Sequence, residues 1–134
     1  MTGAASRRKG HDFEREFCRW VREEFGIAFG RNLKQYGTAQ EGDTDPIAGF
    51  LPECKNCKAR TPSALRGYYL QACEQAKKAG LIPLLLYKIP RQGWRAVMPS
   101  SAFRNAPEPW RCDYAFTNDI APAELKRILT KALQ

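Results

Sequence analysis

Histidine is nearly missing from this sequence: His11 is the only one among 134 residues. A Ser-His-Asp triad or an imidazole-rich metal centre would have at most one imidazole to draw on. Long apolar runs are missing too. A membrane-spanning helix needs ~20 consecutive apolar residues, and the longest run here, Leu81 to Tyr87, is interrupted by Pro83. No membrane association is therefore expected. The opening MTGAASRRKG is basic, but no apolar segment follows it, so no secretory signal is expected. Five cysteines are an odd number for a disulfide framework; without export they read as reduced thiols of a cytoplasmic protein. There is no internal repeat and no low-complexity tract. Acids are scarce relative to bases, 14 Asp plus Glu against 22 Lys plus Arg, which leaves a formal charge of +8. That excess excludes an acidic disordered chain and points to a polyanionic partner.

What is present suits one globular domain. Hydrophobic residues make up 43% and charged residues 27%, ordinary globular usage. The length allows one core without disulfide or metal staples. Residues 1–9 are small and basic and read as a mobile arm. Phe13, Phe17, Trp20, Val21 and Phe25 recur at helical spacing, which predicts a helix from His11 to Phe25 closed by Gly26. Residues 27–30 read as a short strand and 32–44 as a loop. Residues 46–50 and 51–56 read as two strands joined near Gly49. Thr61-Pro62 starts a second helix running to Ala79, capped by Gly80, with Leu65, Tyr69, Ala72, Cys73, Ala76 and Ala79 inward and a possible break at Gly67. Residues 81–87 read as a buried strand and 94–98 as another. Residues 99–119 read as irregular, and Pro122 to Leu133 as a closing amphipathic helix. The order implies a mixed α/β sheet with helices packed on it.

Two acids sit where packing alone would not put them. Glu14 lies three, four and seven residues before Phe17, Cys18 and Val21, so it borders the apolar stripe of the first helix. In Glu53-Cys54-Lys55, strand alternation sends Glu53 and Lys55 one way and Cys54 the other, into the core. Asp45 lies eight residues before Glu53, and a hairpin-like turn can bring those two together. Carboxylates that converge repel, by about 4 kcal/mol for a pair ~4 Å apart at an effective dielectric near 20. A divalent cation removes that cost, and hard oxygen ligands without imidazole suit Mg²⁺ or Mn²⁺. A neighbouring lysine can then orient an attacking hydroxide. The bland alternative is a solvated strand face.

The ordered set Arg8-Lys9-Gly10, Glu14-Arg15-Glu16, Arg31, Asp45 and Glu53-Cys54-Lys55 resembles the archaeal-type Holliday junction resolvases of the PD-(D/E)XK nuclease superfamily. Arg31-Asn32-Leu33-Lys34-Gln35, Gln71-Ala72 and Gly93-Trp94-Arg95 look most like its phage-encoded branch. The resemblance covers about residues 7–98. It implies a central mixed sheet flanked by helices, a restriction-endonuclease-like core, in a single nuclease domain spanning 1–134. It implies Asp45 and Glu53 as principal metal ligands, Glu14 as the helix-borne acid completing the site, and Lys55 as the catalytic lysine, with Mg²⁺ as cofactor and Mn²⁺ able to substitute. It implies backbone contact by Arg31, and Gln35 and Gln71 near the site. The superfamily proline precedes its Asp, whereas here Thr44 precedes Asp45 and Pro46 follows it, so Asp43 competes for the ligand role. Members of the family act as homodimers on branched DNA, each site cutting one strand of a four-way junction. If the chain is phage-encoded, the expected location is the host cytoplasm. The alternatives are another phage nuclease acting on flaps, ends or replication intermediates, and a DNA-binding protein that keeps the scaffold without turnover.

Remaining signals are weaker. Cys54 and Cys57 form a C-x₂-C, but no second pair has zinc spacing, and on a strand the two point to opposite faces. Arg7, Arg8 and Lys9 suit DNA contact from a basic arm, and Lys34 and Arg95 are further candidates. Residues 86–111 mix bases with Tyr87, Trp94, Phe103 and Trp110, which reads either as a stacking and backbone-binding surface or as a turn plus a core tryptophan.

Overall fold

The computed structural model describes residues 3–31, 44–58 and 60–134, with side chains from residue 12 onward. Helix α1 spans Gly3–Phe25. It is longer than the apolar periodicity alone predicts, and the expected arm residues Arg7, Arg8 and Lys9 belong to its backbone. Phe13, Phe17 and Val21, four residues apart, are buried on one face with Cys18 beside them. Gly26 ends the helix with φ +65, its N–H bonded to the Arg22 carbonyl at 3.0 Å. The segment after it is not a strand. Phe29 plugs the core, and one bridge joins Arg31 to Thr44.

The expected strand over 46–50 is instead the arm of a tight turn. Ile47 and Phe50 exchange both backbone hydrogen bonds, at 3.0 and 2.8 Å, around Ala48 (φ 52) and Gly49 (φ 85). Two consecutive left-handed residues close a two-residue hairpin loop of the type whose twist matches paired strands. Strand β1, Phe50–Asn56, leaves from that turn. Helix α2, Pro62–Ala79, starts where Thr61 accepts from the Ala64 N–H and ends at left-handed Gly80. It passes Gly67 without a break, and Ala79 is exposed rather than inward. Strands β2, Ile82–Ile89, and β3, Gly93–Pro99, follow.

Residues 99–119 are not irregular throughout. They contain the short helix α3, Ser100–Phe103, a 3₁₀ turn at Tyr114–Phe116, and most of strand β4, Thr117–Ile120. Helix α4, Pro122–Leu133, closes the fold. The sheet order is β1-β2-β3-β4, with β1 parallel to β2 and the other pairs antiparallel. Helices cover both faces, because β1, β2 and β3 bury residues on both sides. On one face α1 and α4 pack over Phe50, Cys54, Leu84, Leu86, Ala96 and Met98. On the other, α2 packs over Leu85, Tyr87, Ile89 and Val97. Trp94 belongs to the first core, edge-on to Phe17 and Trp20 at 5.7 and 5.0 Å, so it is not a surface stacking platform. Among the described residues no helix is long and apolar enough to cross a membrane.

Candidate active site

Strand β1 carries the first half of the site. Phe50, Leu51, Pro52 and Cys54 are buried, whereas Glu53 and Lys55 are only partly so. Cys54 belongs to the core beneath α1. Alternation therefore turns Glu53 and Lys55 toward the α2 side. The Lys55 Nζ lies 3.8 Å from Glu53 Oε1 and 5.5 Å from the centre of the Tyr68 ring on α2. Those two contacts hold the ammonium next to the carboxylate at an edge of the sheet. Cys57 packs in the α2 core, so the two thiols of the C-x₂-C lie on different faces, as strand geometry requires.

The second half of the site sits against α1. Glu14 is buried, 6% exposed, and its Oε2 accepts from Arg31 Nε at 3.0 Å. Burying one carboxylate on a helix otherwise packed with Phe and Val requires such a partner. Asp45 is fixed differently. Its N–H donates to the Gly30 carbonyl at 2.9 Å, and its Oδ2 accepts from the Gly30 N–H at 3.0 Å. Thr44, fully buried, bridges to Arg31 and donates its hydroxyl to the Asp45 carbonyl. The carboxylate of Asp45 itself reaches solvent. Cys18 registers the whole arrangement: burial pushes its thiol up to about 11, Arg22 and Arg31 oppose that, and Asp45 and Glu14 add to it. A cavity of about 250 Å³ opens beside it, lined by Arg15, Cys18, Arg22 and Arg31.

Glu14 and Asp45 thus both act on Cys18, and Glu53 stands beside Lys55. Among the described residues, no three of His, Cys, Asp and Glu stand close enough to hold a metal ion together. No such group of three joins Glu14, Asp45 and Glu53 among the described residues. Asp43, Lys34 and Gln35 lie outside the described residues, as do the side chains of Arg7, Arg8 and Lys9. Arg31, expected on the DNA backbone, has its Nε engaged by Glu14. Gln71 is exposed on α2. Arg95 Nε donates to Asp119 at 2.6 Å.

A protein-family model described as "Phage putative PDDEXK endonuclease" matches residues 5–120. The chain belongs to this phage endonuclease family. No curated protein matches it in sequence. The match places the chain among the PD-(D/E)XK nucleases, which generally use divalent metal ions. It is a broader class than the junction resolvases. The donors present fit such an ion chemically. All three candidate acids offer hard oxygens, and Mg²⁺ sites commonly use one or two carboxylates together with waters and substrate phosphates rather than a full protein cage.

Sequence reasoning missed Asp119 and Arg60, although it singled out Arg95 and Tyr87, which gather on the same carboxylate. Thr117-Asn118-Asp119-Ile120 is too short and too polar for period-two alternation to signal a strand.

Proposed function

We propose that this chain is a Mg²⁺-dependent endodeoxyribonuclease that resolves four-way DNA junctions by paired symmetric cuts, acting as a homodimer. The observation that carries the reading is the Glu53–Lys55 pair, acid and ammonium 3.8 Å apart on one side of an edge strand, in a chain of an endonuclease family. A bound Mg²⁺ would polarise the scissile phosphate and lower the pKa of a coordinated water. Glu53 and Asp45 are the residues that would hold it, with Glu14 behind them. Lys55 would donate toward the attacking water and the phosphate oxygens. Tyr68 restricts the lysine stem, so less side-chain freedom is lost when substrate arrives. Arg31, fixed by Glu14, adds positive charge on the Asp45 side. One chain holds one such site, so two symmetric cuts need two copies.

The junction preference rests on the resemblance of the ordered motif set to the archaeal-type resolvases. The breadth of the matched family favours a second reading, a phage nuclease acting on flaps, ends or replication intermediates. One experiment separates them. The protein is incubated with a mobile four-way junction, a flap, a linear duplex and single-stranded DNA, in Mg²⁺ or Mn²⁺. Paired nicks at symmetric positions of the junction are expected. Preferential cleavage of the flap or of ends supports the second reading. No cleavage of any of the four in either metal leaves a DNA-binding protein on a nuclease scaffold.

A further inference from the structure

Two residue rows cross the α2 face of the sheet. In one, Glu53, Leu85, Val97 and Asp119 are register partners across all four strands. In the next, Lys55, Tyr87 and Arg95 are partners. The apolar middle lies under α2, and the polar residues fall at the two edges. At the β1 edge stand Glu53 and Lys55. At the β4 edge the carboxylate of Asp119 accepts from Arg95 Nε at 2.6 Å, Tyr87 Oη at 2.5 Å and Arg60 Nη2 at 3.1 Å. Arg95 Nη2 also reaches the Asp119 carbonyl at 3.2 Å. Burial, then the bond to Asp119, pushes the Tyr87 phenol up, so Tyr87 stays a neutral donor.

One carboxylate therefore gathers two guanidiniums, which leaves one positive charge in excess. Both guanidiniums reach solvent, with side-chain exposures of 54% for Arg60 and 39% for Arg95. A guanidinium has five N–H donors, and neither arginine uses most of its own on Asp119. A network needed only to fasten β4 would be satisfied by Arg95 and Tyr87. Arg60, from the chain just before α2, adds charge at the surface. Strands lie ~4.8 Å apart, so Lys55 and Arg95 are separated by about 10 Å across the sheet, the scale of one or two phosphate steps along a DNA strand.

We infer that Arg60 and Arg95, held by Asp119, form a binding station for a backbone phosphate of DNA one or two nucleotides from the one that faces Lys55. The inference rests on the reading of this chain as a DNA-acting protein. Asp119 and Tyr87 are positioning residues, and the two arginines are the contacts. Preorganisation is the physical gain, because the arginines are ordered before the anion arrives.

The test is binding of a fluorescent duplex and of a four-way junction by the full chain, read by anisotropy from 50 to 300 mM NaCl with a chelator present so that no strand is cut. Arg60→Gln and Arg95→Gln should each weaken binding about tenfold at 100 mM NaCl and flatten the log–log salt dependence on duplex by about 0.9. Arg127→Gln, an exposed arginine on α4 paired with Glu124, should change neither. Asp119→Asn should weaken binding although it makes the protein more positive, whereas unpositioned charge alone predicts tighter binding. Arg60 is exposed, so its variant carries the test should Arg95→Gln fail to fold. Unchanged slopes for Arg60→Gln, an equal loss in Arg127→Gln, or a wild-type protein without salt-dependent DNA binding would each overturn the station. Failure of the nuclease reading shows elsewhere, as a wild-type protein that binds DNA with these slopes and cuts none with Mg²⁺ or Mn²⁺.

Discussion

Replacing Glu14 by Gln tests whether this acid belongs to the site alone or also to the fold. Its position on the first helix suggests an acid held for function, whose loss would leave stability untouched. The structure gives a different expectation. Glu14 Oε2 and Arg31 Nε are 3.0 Å apart, with side-chain exposures of 8% and 18%. At that distance the Coulomb attraction is about 5 kcal/mol for an effective dielectric near 20. Desolvation of the two ions offsets most of it, several kcal/mol for each ion when fully buried. The pair as a whole is therefore worth little, but removing one partner leaves Arg31 charged and only slightly exposed. Breaking a fully buried pair costs roughly 3–5 kcal/mol. Arg31 keeps some solvent and Gln keeps an acceptor, so about 2 kcal/mol is the expected loss. For a chain of this length, with an unfolding entropy of about 2.1 cal/mol/K per residue, that lowers Tm by about 7 °C.

The assay is urea unfolding and a thermal melt of wild type, Glu14→Gln, Arg31→Gln and the double variant. Each single change should destabilise. The double variant should lose less than the sum of the two, with a coupling of about 1–2 kcal/mol, because it leaves no unpaired charge. A Tm for Glu14→Gln within 1 °C of wild type, or additive losses in the cycle, would refute the argument and return Glu14 to a purely functional role. Activity must then be measured well below the lowered Tm, so that lost catalysis is not confused with lost fold.

Other perturbations have separate readouts. Glu53→Gln and Lys55→Ala should abolish metal-dependent cleavage while junction binding stays equal or tightens; normal cutting by either variant would move the site elsewhere. Ala48→Asn should stabilise by roughly 0.5–1 kcal/mol in urea unfolding, because Asn tolerates the left-handed first position of the Ile47–Phe50 turn and Ala does not; a lower midpoint would contradict the turn assignment. The Cys18 thiol has an ordinary value of 9.0 and is raised to about 11 in the fold, chiefly by burial. A group raised on folding stabilises fully below its unfolded value and loses that contribution as pH climbs through the folded one. Stability should therefore fall between pH 9 and 11, by up to about 3 kcal/mol from this thiol. Cys18→Ala should flatten that limb of the pH profile, and an unchanged slope would show that Cys18 does not contribute to it.

The elements legible in the sequence are those with a local cause. The apolar spacing of Phe13, Phe17 and Val21, the Thr61-Pro62 start and the Gly80 stop act within one or two turns, and α2, α4 and the C-terminal part of α1 appear where local signals place them, although α1 begins earlier, at Gly3. Strand β4 has no such signal. It forms because Asp119 finds Arg95 on β3, Tyr87 on β2 and Arg60 before α2, and Asn118 accepts from Ser100 at 2.7 Å. A polar four-residue segment becomes a strand when distant donors satisfy it, and those partners lie 18 to 59 residues away.

The same division runs through the site. Period-two alternation is a backbone rule, so Cys54 in the core fixes where Glu53 and Lys55 point before any tertiary contact exists. Helical periodicity is equally reliable about the face on which Glu14 sits, but it does not name the partner. That partner, Arg31, arrives 17 residues later along the chain. A carboxylate bordering an apolar stripe can be a ligand or half of an ion pair, and only the position of the next cation decides between them. Here the cation reaches Glu14 first, which makes it an anchor for Arg31 as well as a candidate ligand. An ion entering beside Asp45 would then meet a neighbourhood where one acid is already neutralised. The demand for metal charge therefore falls chiefly on Glu53 and Asp45, whose carboxylates reach solvent more freely than that of Glu14.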